Sequence, residues 1–149
     1  MLPTSSNSAG AYHSVGLETS VGNSNPHELI VLLLAGARQA ILLARGGIEQ
    51  KNIPLKGSAI TKAIDIILNG LRASLDLEQG GEIAANLSAL YDYMARRLLR
   101  ANMQNDLGAL DEVLRLLTEI QEAWEAIAVG KNIAGGAAPG AGDVPRGAP

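Results

Sequence analysis

Apolar residues recur along the chain at steps of three and four, the spacing that places them on one face of an α-helix. Four stretches show this pattern, and short segments with glycine or polar residues separate them. No stretch alternates apolar and polar residues for long enough to predict a strand. The predicted inner faces are Ile30, Leu34, Ala37, Ile41 and Ala44; Ile60, Ala63, Ile64, Ile67, Leu71 and Leu75; Ile83, Leu87, Leu90, Tyr91, Met94, Leu98 and Ala101; and Leu110, Val113, Leu114, Leu117, Ile120 and Trp124.

The first helix has a clear start signal in the sequence and an ambiguous end signal. Asn25-Pro26-His27-Glu28 places a capping side chain before the helix, proline at its first position and glutamate at its third. This sequence predicts a helix start. Gly46-Gly47 either ends the helix or is tolerated inside it at about 1 kcal/mol for each glycine.

The other three helices have their own boundary signals. The second is predicted to run from near Pro54 to Leu77, and Gly80-Gly81 breaks the chain before the third. Asn105 is predicted to cap the fourth helix, which ends around Ala128.

Short connections make helices that are adjacent in the sequence run antiparallel. The predicted fold is therefore all-α, an antiparallel up-down-up-down four-helix bundle over residues 25–128. Residues 1–24 are rich in Ser, Thr, Asn and Gly and are expected to form a flexible N-terminal lead. Residues 129–149 are mostly Gly, Ala and Pro, a composition that cannot bury enough apolar surface to offset its ordering entropy, so a disordered tail is expected.

Composition narrows the class of protein. Hydrophobic residues make up 47% of the chain and phenylalanine is absent, so the core must be aliphatic. A net charge of −3 argues against a nucleic-acid binder. The chain contains no cysteine, which excludes disulfides and thiolate metal sites. Without a signal-peptide pattern or about 20 consecutive apolar residues, we expect a cytoplasmic protein that does not insert into membranes.

The sequence offers little support for catalysis. Both histidines, His13 and His27, lie before or within the first turn of the first helix. The carboxylates fall mostly off the inner faces, where solvation explains them. We therefore predict no enzymatic activity, no metal and no cofactor. Arg96, Arg97 and Arg100 form a small basic patch that is either a solvated face or a docking point for an acidic segment.

The informative feature is surplus hydrophobicity outside the inner faces. Contiguous apolar surface usually marks a binding site, and apolar grooves accept amphipathic helices. In the first helix the surplus residues are Leu29, Val31, Leu32, Leu42 and Leu43, which would also fit a helix that is simply the most buried. The second and fourth helices each carry another apolar line outside the inner face, and Tyr93 is predicted to point outward. These features give the candidate partner-binding residues. These are Ile66, Ala73, Leu77, Tyr93, Leu116, Ala123 and Ile127.

Several segments together resemble one known family. They are Gly81-Glu82-Ile83-Ala84-Ala85-Asn86-Leu87, Leu90-Tyr91-Asp92-Tyr93-Met94, Arg97-Leu98, Ala101-Asn102, Ala123-Trp124 and Pro26-His27-Glu28-Leu29-Ile30. From about Ala11 to Ala128 the chain resembles the flagellar secretion chaperone FliS family. Leu34-Ala35, Gly46-Gly47 and the Gly/Ala/Pro tail depart from the family pattern.

The resemblance implies a four-helix bundle that uses no cofactor. It implies binding to the disordered C-terminal region of flagellin, which prevents premature polymerisation and aids delivery to the flagellar type III export gate. It also implies that Tyr12 lies in an N-terminal segment that covers the groove and engages the gate. The alternative function is a self-associating structural or adaptor bundle.

Overall fold

The computed structural model describes residues 25–137. It contains four helices, α1 (Pro26–Glu49), α2 (Ile53–Asp65), α3 (Leu77–Gln104) and α4 (Leu107–Ala137), and α2 continues into a π-helical segment, Ile66–Arg72. We call Ile66–Arg72 the π segment. Each helix packs against its neighbours in sequence, and α4 returns to α1. The predicted all-α four-helix bundle is confirmed, and no strand occurs within residues 25–137.

The start of α1 follows the predicted cap. The Asn25 side-chain oxygen accepts a hydrogen bond from the Glu28 backbone N–H at 2.8 Å, and Pro26 occupies the first turn. The helix continues through both glycines to Glu49. Gly47 is buried, and a Cβ there would lie 2.7 Å from the Lys56 backbone nitrogen. Gly47 therefore lets the start of α2 approach α1 closely.

The predicted end of the second helix at Leu77 is wrong. Regular α-helix stops at Asp65, the π segment ends at Arg72, and Leu77 is already the first residue of α3. Asp76 caps α3 by accepting from the Gln79 N–H at 2.9 Å. The predicted break appears at Gly81, whose φ of 55° and ψ of −132° interrupt the helical geometry of α3.

The boundary between α3 and α4 also differs from the prediction. Asn105 has a φ of 52° and ends α3 in the left-handed conformation that asparagine tolerates. Asp106 is the residue that caps α4, because its Oδ1 accepts from the Ala109 N–H at 3.1 Å. The predicted helix end near Ala128 is also wrong, since α4 extends to Ala137. Pro139 lies two positions further along the sequence, and a proline disfavours the helical conformation of the residue before it.

The core lies along the bundle axis and is aliphatic. Its largest fully buried side chains come from every helix and from the π segment, as the predicted inner faces require: Leu34, Ile41, Ile60, Ile67, Leu71, Met94, Leu98, Leu110, Val113 and Leu117. Ile83 is the exception, since 73% of it is exposed although an inward position was predicted.

Among the residues whose burial the structure describes, one buried position is polar. Lys56 donates from Nζ to the Asn102 carbonyl oxygen at 2.9 Å and to Asn105 Oδ1 at 2.7 Å. It thereby places a cation at the C-terminal end of α3, where the helix dipole favours positive charge.

By length and composition alone α1 could cross a membrane, with a mean hydropathy of 1.7 over its most apolar window. Core helices also meet this criterion. Here Leu34, Ala37 and Ile41 bury one side of α1 in the bundle.

Candidate partner-binding site

An open, mainly apolar cavity of about 610 Å³ lies where α1, the π segment and α3 meet. Its lining residues are contributed by the first two turns of α1, the end of the π segment, the connection to α3 and the start of α3. They are Pro26, His27, Leu29, Ile30, Leu33, Asn69, Gly70, Leu71, Ser74, Leu75, Asp76, Gln79, Gly80, Ile83, Ala84, Leu87 and Tyr91, with Trp124 from α4. A concave apolar site with a few polar groups is the usual form of a binding pocket.

Residues of α1 and α4 form one wall of the cavity. The rings of His27 and Trp124 stack with centroids 5.3 Å apart and planes inclined by 17°. His27 Nε2 donates to the Trp124 carbonyl oxygen at 2.8 Å, and Trp124 Nε1 donates to the His27 carbonyl oxygen at 3.3 Å. These contacts join residues 97 positions apart and fix the start of α1 against α4.

The floor of the cavity depends on local backbone geometry. At Gly70 a Cβ would lie 3.2 Å from a methyl carbon of Leu33, so glycine keeps the π segment close to α1. Arg72, at the end of the π segment, pairs with Asp92 of α3. Two residues after the change of direction at Gly81, the exposed Ile83 lines the cavity.

The cavity holds little charge. Asp76 is the one carboxylate among its lining residues, and its side chain is engaged in capping α3. Burial raises the pKa of the Tyr91 hydroxyl to about 12, so Tyr91 is neutral at physiological pH. An apolar segment suits this site better than an ion does.

A second surface joins α3 to α4. Tyr93 donates to Glu112 Oε2 at 2.6 Å, and Arg97 Nε donates to Glu112 Oε1 at 2.7 Å. The hydrogen bond from Tyr93 and the charge of Arg97 lower the pKa of the Glu112 carboxyl, and the same hydrogen bond raises the pKa of Tyr93. We call Tyr93, Glu112, Leu116, Ala123 and Ile127 the α4 surface, because helical spacing puts the α4 members on one side.

The predicted contact residues divide between several environments. Leu116, Ala123 and Ile127 share one side of α4, and Tyr93 contacts this helix through Glu112. Leu116 is half-buried and Ile127 is exposed. Ala73 and Leu77 are exposed in and after the turn that follows the π segment, next to cavity residues but not among them.

The prediction that Ile66 lies on an outer stripe is wrong. Only 3% of Ile66 is exposed, and its side chain faces α1 at Gly36. The Ile66 Cδ1 carbon lies 3.5 Å from the position of a Cβ on Gly36. Ala59, two helical turns before Ile66, is also buried. Tyr12 lies outside the described residues.

Most of the cavity is not predictable from the sequence alone. The sequence places His27 at a helix start, as the structure does, and predicts an inward Ile83, which is exposed. Gly70 and Gly81 are the available signals in the sequence, because glycine often marks a close approach of two helices or an unusual backbone conformation. Neither glycine predicts which side chains line the resulting cavity.

Two of the three arginines of the basic patch are paired. Arg97 pairs with Glu112, and Arg100 Nε lies 3.2 Å from Asp106 Oδ2. The described part of the chain has no group of three or more His, Asp or Glu residues arranged to hold a metal ion. Fold and cavity together place the chain in the class of helical-bundle proteins with a surface suited to an apolar partner segment.

Comparison with known proteins identifies the family. The model of the family described as Flagellar protein FliS matches residues 7–131. The flagellar secretion chaperone FliS of Salmonella typhimurium is 54% identical over 117 residues, which cover 78% of this chain and 87% of that protein. Flagellar secretion chaperone FliSB of Pseudomonas aeruginosa is 49% identical over 116 residues, covering 78% and 91%. The FliS of Bacillus subtilis is 36% identical over 108 residues, covering 72% and 79%. The chain belongs to the FliS family of flagellar secretion chaperones.

Proposed function

We propose that this chain is an export chaperone for flagellin. It binds the disordered C-terminal segment of newly made flagellin in the cytoplasm, prevents premature polymerisation and aids delivery to the flagellar type III export gate. The observation that carries the proposal is an open apolar cavity in a bundle of the FliS family. A chaperone acts by stoichiometric binding and needs no catalytic group.

The proposed binding surface has two parts. An amphipathic stretch of flagellin places apolar side chains in the cavity, against Leu29, Leu75 and Ile83. A further stretch lies along the α4 surface, where Tyr93, Leu116, Ala123 and Ile127 offer contacts. Ala73 and Leu77 lie beside the cavity and extend that contact. Burial of the segment's apolar side drives binding, and ordering it costs about 2–5 kcal/mol.

Tyr12 has a proposed role that rests on sequence position. The N-terminal segment that contains it leads directly to Pro26, a residue of the cavity wall. We therefore propose that this segment covers the empty cavity and takes part in engagement of the export gate.

Calorimetric titration with a peptide from the C-terminal region of the same cell's flagellin tests the proposal. We expect saturable one-to-one binding, a negative heat-capacity change and a gain in helical circular dichroism. Ile83→Gln removes a cavity side chain that is already 73% exposed, so the fold should be retained. Burial of one isoleucine side chain contributes about 1.5–3 kcal/mol to the free energy of binding. Its loss should therefore weaken binding by about tenfold or more.

Met103→Gln is the matched control. Met103 is also on α3 and is 76% exposed, but it does not line the cavity. This variant should bind like the unmodified protein. Equal affinity of Ile83→Gln and Met103→Gln would exclude the cavity as the binding site, and Ile127→Gln would then test the α4 surface. No binding by a folded protein would refute the proposed function.

A further inference from the structure

The basic patch on α3 lies beside exposed apolar residues that belong to neither proposed binding surface. Arg96, Leu99 and Met103 follow one another at steps of three and four, so they share one side of α3. All three are exposed, with exposed fractions of 51% for Leu99 and 76% for Met103. None of them lines the cavity. Contiguous exposed apolar residues usually mark an interaction site.

The start of α2 continues this surface. Lys56 donates from Nζ to the Asn102 carbonyl oxygen at 2.9 Å, which holds the first turn of α2 against the last turns of α3. Ile53, in that first turn, is 70% exposed. Gly57 lies one turn further along the same side of α2. We call the following residues the α2–α3 face: Ile53, Gly57, Arg96, Leu99 and Met103.

Gly57 leaves the helix backbone open at the α2–α3 face. A glycine inside a helix costs about 1 kcal/mol relative to alanine. At Gly47 and Gly70 a Cβ would lie 2.7 Å and 3.2 Å from another helix, which accounts for glycine at these positions. At Gly57 a Cβ would meet nothing within 4 Å, so no contact among the described residues requires glycine there. Glycine at an open position lets the backbone of a bound partner approach closely.

The charge beside these apolar residues is positive. Arg96 is exposed, and so is Lys51 in the connection that leads into α2. Within residues 25–127 neither side chain forms an ion pair, because the neighbouring carboxylates Asp92 and Asp106 are each paired with another arginine. In a chain with a net charge of −3, this local positive charge is complementary to an acidic partner.

The shape of the α2–α3 face suits a helix. Apolar surfaces between two packed helices accept the apolar side of an amphipathic helix. Arg96 and Met103 are seven positions apart, which corresponds to about 10 Å along α3, or two helical turns. A partner helix of this length presents apolar residues at steps of three and four. Acidic residues beside them then come level with Arg96.

We propose that the α2–α3 face docks an amphipathic helix of a second protein, with apolar residues on one side and glutamate or aspartate beside them. The apolar residues contact those of the face, the backbone approaches Gly57, and the carboxylates pair with Arg96. Met103 lies about 30 Å from Ile83 along α3, so this partner does not displace a segment from the cavity. The proposal therefore does not rest on the proposed function.

Fluorescence anisotropy on the full chain with two labelled peptides tests the proposal. Each peptide has about 18 residues, enough to form a helix, with leucine at steps of three and four. The positions beside the leucines are glutamate in one peptide and lysine in the other. We expect the glutamate peptide to bind about tenfold more tightly although the chain is acidic overall. The preference should shrink at high salt, which screens exposed charges, and Arg96→Glu should reverse it.

Paired variants locate the bound peptide. Leu99→Gln removes an apolar side chain of the face and should weaken binding of the glutamate peptide about tenfold, whereas Ile83→Gln in the cavity should not change it. Gly57→Gln fills the open position and should also weaken binding. Gly46→Gln is its matched control, because it makes the same change on α1, where a Cβ meets only the Gln50 side chain, at 4.0 Å. Circular dichroism verifies that every variant is folded.

Four results would overturn the proposal. The first is a glutamate peptide that does not bind, or that binds no better than the lysine peptide. The second is an equal effect of Gly57→Gln and Gly46→Gln. The third is weaker binding of the flagellin peptide by Leu99→Gln, which would assign the face to flagellin. The fourth is binding to vesicles of anionic lipid that Arg96→Glu abolishes while the glutamate peptide stays unbound, which would assign the face to a membrane.

Discussion

At the scale of single residues, Gly47 sets the distance between α1 and α2. A Cβ there would lie 2.7 Å from the Lys56 nitrogen, 3.0 Å from its Cα and 3.2 Å from the Asn52 carbonyl oxygen. All three are backbone atoms, which cannot move aside as a flexible side chain would. We expect Gly47→Ala to lower the free energy of unfolding by about 1–3 kcal/mol, the usual effect of overpacking.

Gly57→Ala provides the comparison for Gly47→Ala. Open space surrounds Gly57, so alanine should raise the free energy of unfolding by up to about 1 kcal/mol through its better helix propensity. Urea denaturation of both variants measures the difference. A Gly47→Ala protein at least as stable as the natural one would show that α2 can move away at no cost.

The burial of Ile66 shows what one helix's own sequence leaves undetermined. Its position in the helical repeat of the sequence favours an outer stripe, and the residues around it give no contrary signal. It is buried because α1, another helix, packs against it near Gly36. Periodicity reports the preferred inner side of a helix, whereas the width of the buried side depends on its neighbours.

At the scale of elements, the sequence predicted four helices and their inner faces because regular helices repeat every 3.6 residues. The errors occur where the geometry departs from that repeat. The π segment uses wider turns, which changes the phase of the residues after it. The positive φ at Gly81 likewise turns Ile83 away from the core. Because the cavity lies between these two irregular places, most of its lining was not predicted.

The contact between α3 and α4 gives a pH-dependent prediction. Tyr93 and Arg97 lower the pKa of Glu112 from its ordinary value of 4.5, so the folded state favours the carboxylate. This contribution is present above pH 4.5 and is lost as the pH falls through the lowered pKa. Glu112→Gln should therefore reduce the melting temperature at neutral pH, and the difference from the natural protein should shrink in strong acid.

Glu122→Gln on the same helix serves as the control for Glu112→Gln. Glu122 is exposed and forms no salt bridge among the described residues. Its removal should change the melting temperature little at either pH. A Glu112→Gln difference that stays constant from neutral pH to strong acid would mean that the hydrogen bonds do not depend on the charge of Glu112.

At the scale of the whole molecule, the order of the helices followed from their short connections, but the contact between the first and last helices did not. His27 and Trp124 are far apart in sequence, and no local pattern relates them. Their stacking forms one wall of the cavity, so the site depends on the complete bundle. A binding surface of this kind is a property of the assembled helices, and no single helix encodes it.

Trp124 also makes the cavity observable, because it is the only tryptophan in the chain and lies in the cavity wall. His27→Ala removes the stacked ring and the 2.8 Å hydrogen bond, which exposes the indole. We expect a red shift of the fluorescence emission in the free variant. In the natural protein a bound flagellin peptide without tryptophan should exclude water from the cavity and shift the emission to the blue. If calorimetry shows saturation while the emission stays constant, the peptide binds on the α4 surface or elsewhere, and the cavity is not its site.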